Sequence, residues 1–181
     1  VVAAVAVGGF GPRVFGWGVP WCSRTQAMLR SCAHAAQQGD GWVRLTAQHS
    51  IILAGQPVMP ELEGFATNPA DARLRIYACS GVAGCAQAHT DTPAQAMSLA
   101  SAMPAHGCVH VSGCTKGCAH PNAVALTVVP ALQGYALVRN GAAGDEPTCH
   151  VPDFEAVRAF VQAWAAKPQG KERSSVYEGP Q

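Results

Sequence analysis

The sequence predicts an α+β protein in which helices and short strands alternate irregularly. Three observations predict this class. First, apolar residues recur at the helical period in residues 21–38, and two strand-like runs follow. Second, a capped helix start at Thr92 lies between two further strand-like runs. Third, two apolar runs precede a final amphipathic segment. With 181 residues, the chain is long enough for one large domain or two small ones with cores of their own.

The first part of the chain predicts a strand–helix–strand–strand unit, an α+β half-module. Its expected elements are a buried strand Val1–Val7, a helix Trp21–Gln38, and strands Trp42–Thr46 and Ser50–Leu53. The helix is expected because alanines and Cys32 recur near the helical period, and the glycines after Gln38 end it. A proline-containing connector follows, so we place a domain boundary after Asn68 and assign residues 1–68 to the first domain.

The second part predicts a domain at residues 69–166, followed by a tail at 167–181 that we expect to be disordered. Thr92 is expected to cap a helix, with Pro93 at its first position and Gln95 three residues beyond the cap. The other expected elements are strands Leu74–Ala78 and Cys108–Val111, a hairpin of Val124–Val129 and Tyr135–Arg139, and an amphipathic helix Pro152–Ala166.

Composition excludes several function classes. The formal net charge is +1 and no basic stripe is present, which argues against a nucleic-acid partner. No apolar run reaches the ~18 residues of a membrane helix, and no signal peptide is visible, so we expect a cytoplasmic protein without a membrane partner. Because the chain opens on Val1 within a strand-like run, we expect it to be a fragment of a longer protein.

Two pairs of cysteines carry the clearest chemical signal. Cys79 and Cys85 form a C-x5-C, and Cys114 and Cys118 form a C-x3-C, each with glycines beside the cysteines. Iron–sulfur clusters are held by cysteine thiolates, four of them for a cubane, and glycines leave room for the inorganic core. Both pairs follow short expected strands, where functional loops are commonly placed. The spacing therefore predicts a [4Fe–4S] cluster held by these four cysteines.

Zinc and disulfides are the alternatives. The combination of C-x5-C with C-x3-C is awkward for a structural zinc site. Disulfide scaffolds are typically secreted chains shorter than about 100 residues. The remaining cysteines, Cys22, Cys32, Cys108 and Cys149, lack close partners in the sequence, and we expect Cys32 and Cys108 to be buried free thiols.

These motifs resemble a known family. The cysteine spacing resembles the sirohaem and [4Fe–4S] domain of the nitrite/sulfite reductase superfamily, over roughly residues 15–165. The segments Cys79-Ser-Gly-Val-Ala-Gly-Cys-Ala-Gln-Ala88, Gly113-Cys-Thr-Lys-Gly-Cys-Ala-His-Pro121 and Tyr135-Ala-Leu-Val-Arg-Asn-Gly141 resemble its precorrin-3B synthase branch. The implied fold is a ferredoxin-like half domain (1–68) followed by a nitrite/sulfite reductase-type [4Fe–4S] domain (69–166). Family members are roughly twice this length and carry a further half domain upstream.

The resemblance implies an oxygen-dependent monooxygenase of aerobic cobalamin biosynthesis. Its implied substrate is the tetrapyrrole precorrin-3A, which is hydroxylated at C-20 with lactone formation to give precorrin-3B. O2 and an electron donor (NADH or a reductase) would be the co-reactants. Two alternatives remain open: a sirohaem-dependent sulfite or nitrite reductase, with sirohaem as cofactor, and a non-catalytic [4Fe–4S] electron-transfer module.

Substrate-binding residues are expected among cations, because precorrins carry many carboxylates and arginine pairs with carboxylates in a bidentate manner. Lys116 lies inside the second cysteine loop and is the leading candidate. Arg24 matches the arginine of a family segment that is otherwise altered here, while Arg44 and Arg139 are expected at solvated strand positions. His120 is a candidate hydrogen-bond donor to the cluster or the tetrapyrrole.

A mononuclear non-haem iron is a further cofactor that the sequence leaves open. His89 and His110 are the candidate ligands for it, since imidazole is a common iron ligand.

Overall fold

The computed structural model describes residues 6–21 and 25–166. It confirms a mixed α+β architecture with two separate sheets. The expected strand at Val1–Val7 lies mostly outside the described residues, as do Arg24, Cys22 and the tail 167–181. Ala6 and Val7 are not in a strand.

The first sheet has four antiparallel strands in the order β1-β2-β4-β3 and one helix packed on it. Its elements are β1 (Gly8–Gly9), β2 (Val14–Gly18), α1 (Gln26–Gln37), β3 (Arg44–Thr46) and β4 (Ser50–Ala54). Helix α1 begins later than expected because Thr25 caps it, its side chain accepting a hydrogen bond from the Met28 N–H. The core between helix and sheet contains Trp17, Cys32, Ile51 and Leu53.

The second sheet has five strands in the order β5-β6-β7-β8-β9. A 3₁₀ helix (Ala72–Arg75) replaces the first half of the expected strand at Leu74–Ala78. The following elements are β5 (Ile76–Ala78), α2 (Thr92–Ala100), β6 (Val109–Val111), β7 (Val124–Pro130), β8 (Tyr135–Gly141), β9 (Cys149–Val151) and α3 (Phe154–Ala166). Strands β5, β6 and β7 are parallel, and the expected hairpin β7–β8 is antiparallel. The prediction missed β1, β2 and β9.

Alternation along β5 and β6 gives this sheet two different faces. Ile76 and Ala78 of β5 and Val109 and Val111 of β6 join α2 and α3 in the apolar core. The intervening residues, including Tyr77 and His110, point to the opposite face. Each fully buried Val or Leu contributes roughly 1.5–3 kcal/mol, so the packed face holds the strand ends firmly in place.

The division at residue 68 is crossed by several contacts. Arg73 donates to the carbonyls of Gly64 and Phe65, and a Cβ added to Gly18 would lie 2.5 Å from the Leu74 Cδ2. The two-domain assignment therefore stays a prediction. No helix in the described parts of the chain is long and apolar enough to cross a lipid bilayer.

Candidate metal centre

The two cysteine loops leave the same edge of the second sheet. Ala78 pairs with Val111 at the ends of the parallel strands β5 and β6, so Cys79 and the Ser112–Cys114 segment begin side by side. In open sheets with parallel strands, ligands commonly bind at the carboxyl ends of the strands. The fold therefore brings both loops to the position where a bound group is expected.

Direct contacts join the loops. The His89 N–H, just after the first loop, donates to the Gly113 carbonyl at 2.9 Å. A Cβ added to Gly113 would lie 2.8 Å from the Ala88 Cβ and 3.2 Å from the Cys79 Sγ, so only glycine fits without displacing the first loop. Gly113 is thus a point of close contact between the loops.

Left-handed backbone shapes each loop. Gly81 has φ +61° and Gly117 has φ +63°, conformations that glycine adopts without steric cost. The Cys85 N–H donates a hydrogen bond of 2.9 Å to the Gly81 carbonyl, and this bond folds the first loop back on itself. The backbone N–H of His120 donates a hydrogen bond of 3.1 Å to the Gly117 carbonyl, which closes the second loop after Cys118.

Cys79 has the most developed environment of the four cysteines. The Thr92 hydroxyl lies 3.4 Å from its Sγ and donates to its carbonyl oxygen at 2.8 Å. Burial acts to raise the pKa of the Cys79 thiol, but the contact with the Thr92 side chain and hydrogen bonds from the backbone N–H groups of Gly81 and Gly113 outweigh it, and the pKa is lowered. A lowered pKa favours the thiolate, the form that binds iron.

Thr92 has a different role from the expected one. The cap of α2 is Asp91, whose carboxylate accepts the Ala94 N–H at 3.2 Å, and Thr92 is the first helical residue. The prediction of Thr92 as the cap was wrong because Asp91, one residue earlier, is also a strong capping residue. Freed from capping, the buried Thr92 hydroxyl supports Cys79. The sequence signal was present in the Asp-Thr-Pro run, but it did not reveal this contact.

Of the four cysteines, Cys118 is the most accessible. Cys85 and Cys114 are half-buried and Cys118 is exposed, and all three are free thiols, as are Cys79, Cys108 and Cys149. Cys32 is buried in the first core as expected, whereas Cys108 lies just before β6 and is half-buried. Among residues 6–21 and 25–166, no three Cys, His, Asp or Glu side chains are grouped closely enough to hold a metal ion.

The chain fits a [4Fe–4S] cluster in two respects. Four thiols, the ligands such a cluster takes, stand on two touching loops, and the pKa of the Cys79 thiol is lowered, which favours the thiolate form that binds iron. The structure thus brings Cys79 against the second loop. It does not bring the four sulfurs into one set.

Two of the expected substrate residues lie in the described part of the second loop. Lys116 is exposed. His120 is half-buried, its ring stacks on Tyr77 with centroids 4.2 Å apart, and its Nδ1 lies 2.9 Å from the Asn122 carbonyl oxygen. Elsewhere, Arg139 is exposed, as expected, and Arg44 of β3 forms an ion pair with Asp40.

His110 lies beneath the second loop, and from the sequence it was predicted only as a possible metal ligand. His110 is completely buried on β6, and its ring lies 6.3 Å from that of His120. Burial, and then the charge of His120, lower the pKa of His110 to about 4, so the imidazole is neutral at pH 7. His89 is exposed, and neither histidine belongs to a metal-binding group within the described residues.

Comparison with known proteins agrees with this architecture. The chain matches no protein-family model. It resembles the Mycobacterium tuberculosis NirA protein with a TM-score of 0.58 and 16% identity, over 82% of this chain and 34% of that one. A dissimilatory sulfite reductase I matches with a TM-score of 0.45 and 20% identity, over 68% of this chain and 38% of that one. The fold is therefore of the nitrite/sulfite reductase type, as predicted.

The sequence resembles one particular enzyme. The chain is 34% identical over 155 residues to a precorrin-3B synthase from Sinorhizobium sp, a match that covers 77% of this chain and 33% of that protein. The predicted resemblance to precorrin-3B synthase is confirmed. The chain spans about a third of the length of the curated relative it matches.

Proposed function

We propose that this chain is the cluster-holding part of an oxidoreductase of the precorrin-3B synthase type. The proposed reaction hydroxylates precorrin-3A at C-20 and forms a lactone, giving precorrin-3B in aerobic cobalamin biosynthesis. O2 and an external electron donor would be consumed. The observation that carries the proposal is the match to precorrin-3B synthase over 77% of the chain, which includes two cysteine loops that meet at one sheet edge.

Cys79, Cys85, Cys114 and Cys118 are the proposed ligands of a [4Fe–4S] cluster, which supplies one-electron transfer when bound. The protein's own contribution begins at Cys79. The contact with the Thr92 side chain and hydrogen bonds from the backbone N–H groups of Gly81 and Gly113 favour its thiolate before any metal arrives. Metal binding must otherwise displace the thiol proton, so a thiol already biased toward the thiolate is the natural first ligand.

The substrate side of the proposal rests on the outer surface of the second loop. Lys116 is exposed beside the proposed ligands, where its ammonium group can meet a carboxylate of a polycarboxylate tetrapyrrole. His120 is held by Tyr77 and Asn122 and presents a half-buried ring two residues beyond Cys118. A cation and an imidazole thus stand next to the proposed cluster.

A sirohaem-dependent reductase is the second candidate, favoured by the fold shared with NirA at a TM-score of 0.58. It predicts a tightly bound tetrapyrrole in the protein as purified, whereas a precorrin-3B synthase binds its tetrapyrrole as a substrate and releases it.

Anaerobic purification followed by analysis of iron, acid-labile sulfide and tetrapyrrole tests the proposal. The expected result is equal iron and sulfide, about four of each per chain, without tetrapyrrole. The full-length protein should in addition convert precorrin-3A only when O2 and a reductant are present. Stoichiometric sirohaem in the purified protein would move the assignment to the reductases, and absence of iron and sulfide would refute the cluster.

A further inference from the structure

His110 is a buried polar side chain without a partner. Its exposed fraction is 0%, and neither Nδ1 nor Nε2 makes a hydrogen bond to the described residues. Buried polar groups are nearly always hydrogen-bonded, and one left unpaired costs free energy that an apolar side chain would not. Packing alone therefore does not explain a neutral imidazole at this position.

The surroundings of His110 leave the second cysteine loop as the source of a partner. Tyr77 and Thr127 flank it in register on β5 and β7, and the Thr127 hydroxyl already donates to the Gly141 carbonyl at 2.7 Å. Gly117 covers the ring, since a Cβ added there would lie 3.6 Å from the His110 Cε1. This contact places the imidazole directly beneath the turn that connects Lys116 to Cys118.

We infer that His110 is a positioning residue of the metal centre: it offers a ring N–H, from beneath the Cys114–Cys118 loop, to the sulfur-rich group which that loop holds. The inference rests on the proposed function. The protonated ring nitrogen then has its acceptor in the bound group and not in the chain.

Hydrogen bonds to cluster sulfurs stabilise the more negative, reduced state and raise the reduction potential. The N–H of a neutral imidazole makes such a bond without adding a charge. The effect of His110 on the reduction potential therefore requires an N–H donor at this position. A packing effect of the ring would not require one.

Two substitutions separate these effects. His110→Phe keeps a planar ring and removes both nitrogens, while His110→Gln keeps an N–H donor in a smaller side chain. His150→Phe is the matched control, because it makes the same chemical change at an exposed position of β9 in the same sheet. The anaerobically purified wild type and the three variants are compared for iron and sulfide content, midpoint potential and electron paramagnetic resonance of the reduced state.

In His110→Phe we expect a shift of the midpoint potential to more negative values and faster loss of iron to a chelator. The cluster-free form of the same variant should unfold at a higher temperature than the cluster-free wild type, because the unpaired nitrogens are gone. His110→Gln should recover most of the wild-type potential, and the control should match the wild type in every measurement.

A space-filling role would change the stability of the loaded and cluster-free forms in the same direction and leave the potential unchanged. An unshifted potential and resonance line shape in a fully loaded His110→Phe protein would overturn the inference while leaving the proposed function intact. A wild type without iron and sulfide would instead remove the proposed function, and this inference with it.

Discussion

Replacing Thr92 with valine tests the environment of Cys79 most sharply. Valine has nearly the same shape, so Thr92→Val removes one hydroxyl from a fully buried position and creates little empty space. The lost hydrogen bond is the 2.8 Å contact to the Cys79 carbonyl, and the same hydroxyl lies 3.4 Å from the Cys79 sulfur. One substitution therefore perturbs both the backbone and the thiol at the start of the first loop.

The expected cost follows from the group left behind. The Cys79 carbonyl is part-buried, and loss of one hydrogen bond at such a group destabilises a protein by about 0.5–1.5 kcal/mol. The pKa of the Cys79 thiol should rise, because Thr92 is the strongest of the contacts that lower it. Urea denaturation of the cluster-free protein under reducing conditions measures the first effect, and the pH dependence of thiol alkylation, with Cys79 identified by mass spectrometry, measures the second.

Thr90 supplies the matched control two residues away. Its hydroxyl is buried and has no hydrogen-bond partner in the described structure, so Thr90→Val removes a group that makes no such bond. That variant should be as stable as the wild type or slightly more stable. Equal losses of stability in the two variants would show that valine itself is poorly tolerated here and would refute the role of the Thr92 hydroxyl.

Three further predictions concern neighbouring residues of the site. Gly113→Ala should destabilise the protein by about 1–3 kcal/mol in urea denaturation and lower its iron content, because the new Cβ would lie 3.2 Å from the Cys79 sulfur. Gly144→Ala is the control: its Cβ would lie 3.6 Å from the nearest atom, so stability and iron content should both stay unchanged. The cluster-free wild type should gain stability as pH rises from about 4 to 6.5, because the unfolded chain keeps a proton on His110 through that range and the folded protein does not. The difference in pKa between the two states corresponds to about 3 kcal/mol of unfolding free energy. A His110→Phe protein with the same pH dependence would contradict this prediction. Lys116→Asn should weaken precorrin binding by the full-length enzyme by about 1.5–3 kcal/mol, and by less at high salt, while the iron content stays unchanged. If a binding titration gave the variant the same affinity for precorrin as the wild type, Lys116 would not contact the substrate.

The sequence predicted the elements that have strong periodic patterns and the site residues that have strong spacing. Helix α3 and the hairpin β7–β8 were found within a few residues because their apolar patterns are long. Strand β2 was missed because Val14–Gly18 contains two glycines, which weaken a strand pattern even though Trp17 is completely buried. Strand β9 is only three residues long, too short to show a period.

The support of the candidate site was beyond reach of sequence reasoning. The cysteine spacing identified the two loops, but the contact between them depends on Gly113, which approaches Cys79 only because β5 and β6 pair in parallel. The roles of Thr92 and His110 likewise depend on tertiary packing. Such contacts join residues far apart in the chain and leave no local pattern.

Iron content after single cysteine substitutions tests the central claim most directly. Anaerobically purified Cys114→Ser protein should lose most of its iron and acid-labile sulfide, because a half-buried thiol of the proposed ligand set has been removed. Cys32→Ser, which alters a buried thiol in the first core, should retain the wild-type ratio of iron to folded protein. Full iron retention in Cys114→Ser, or an equal loss in both variants, would contradict the assignment of the two cysteine loops as a cluster site.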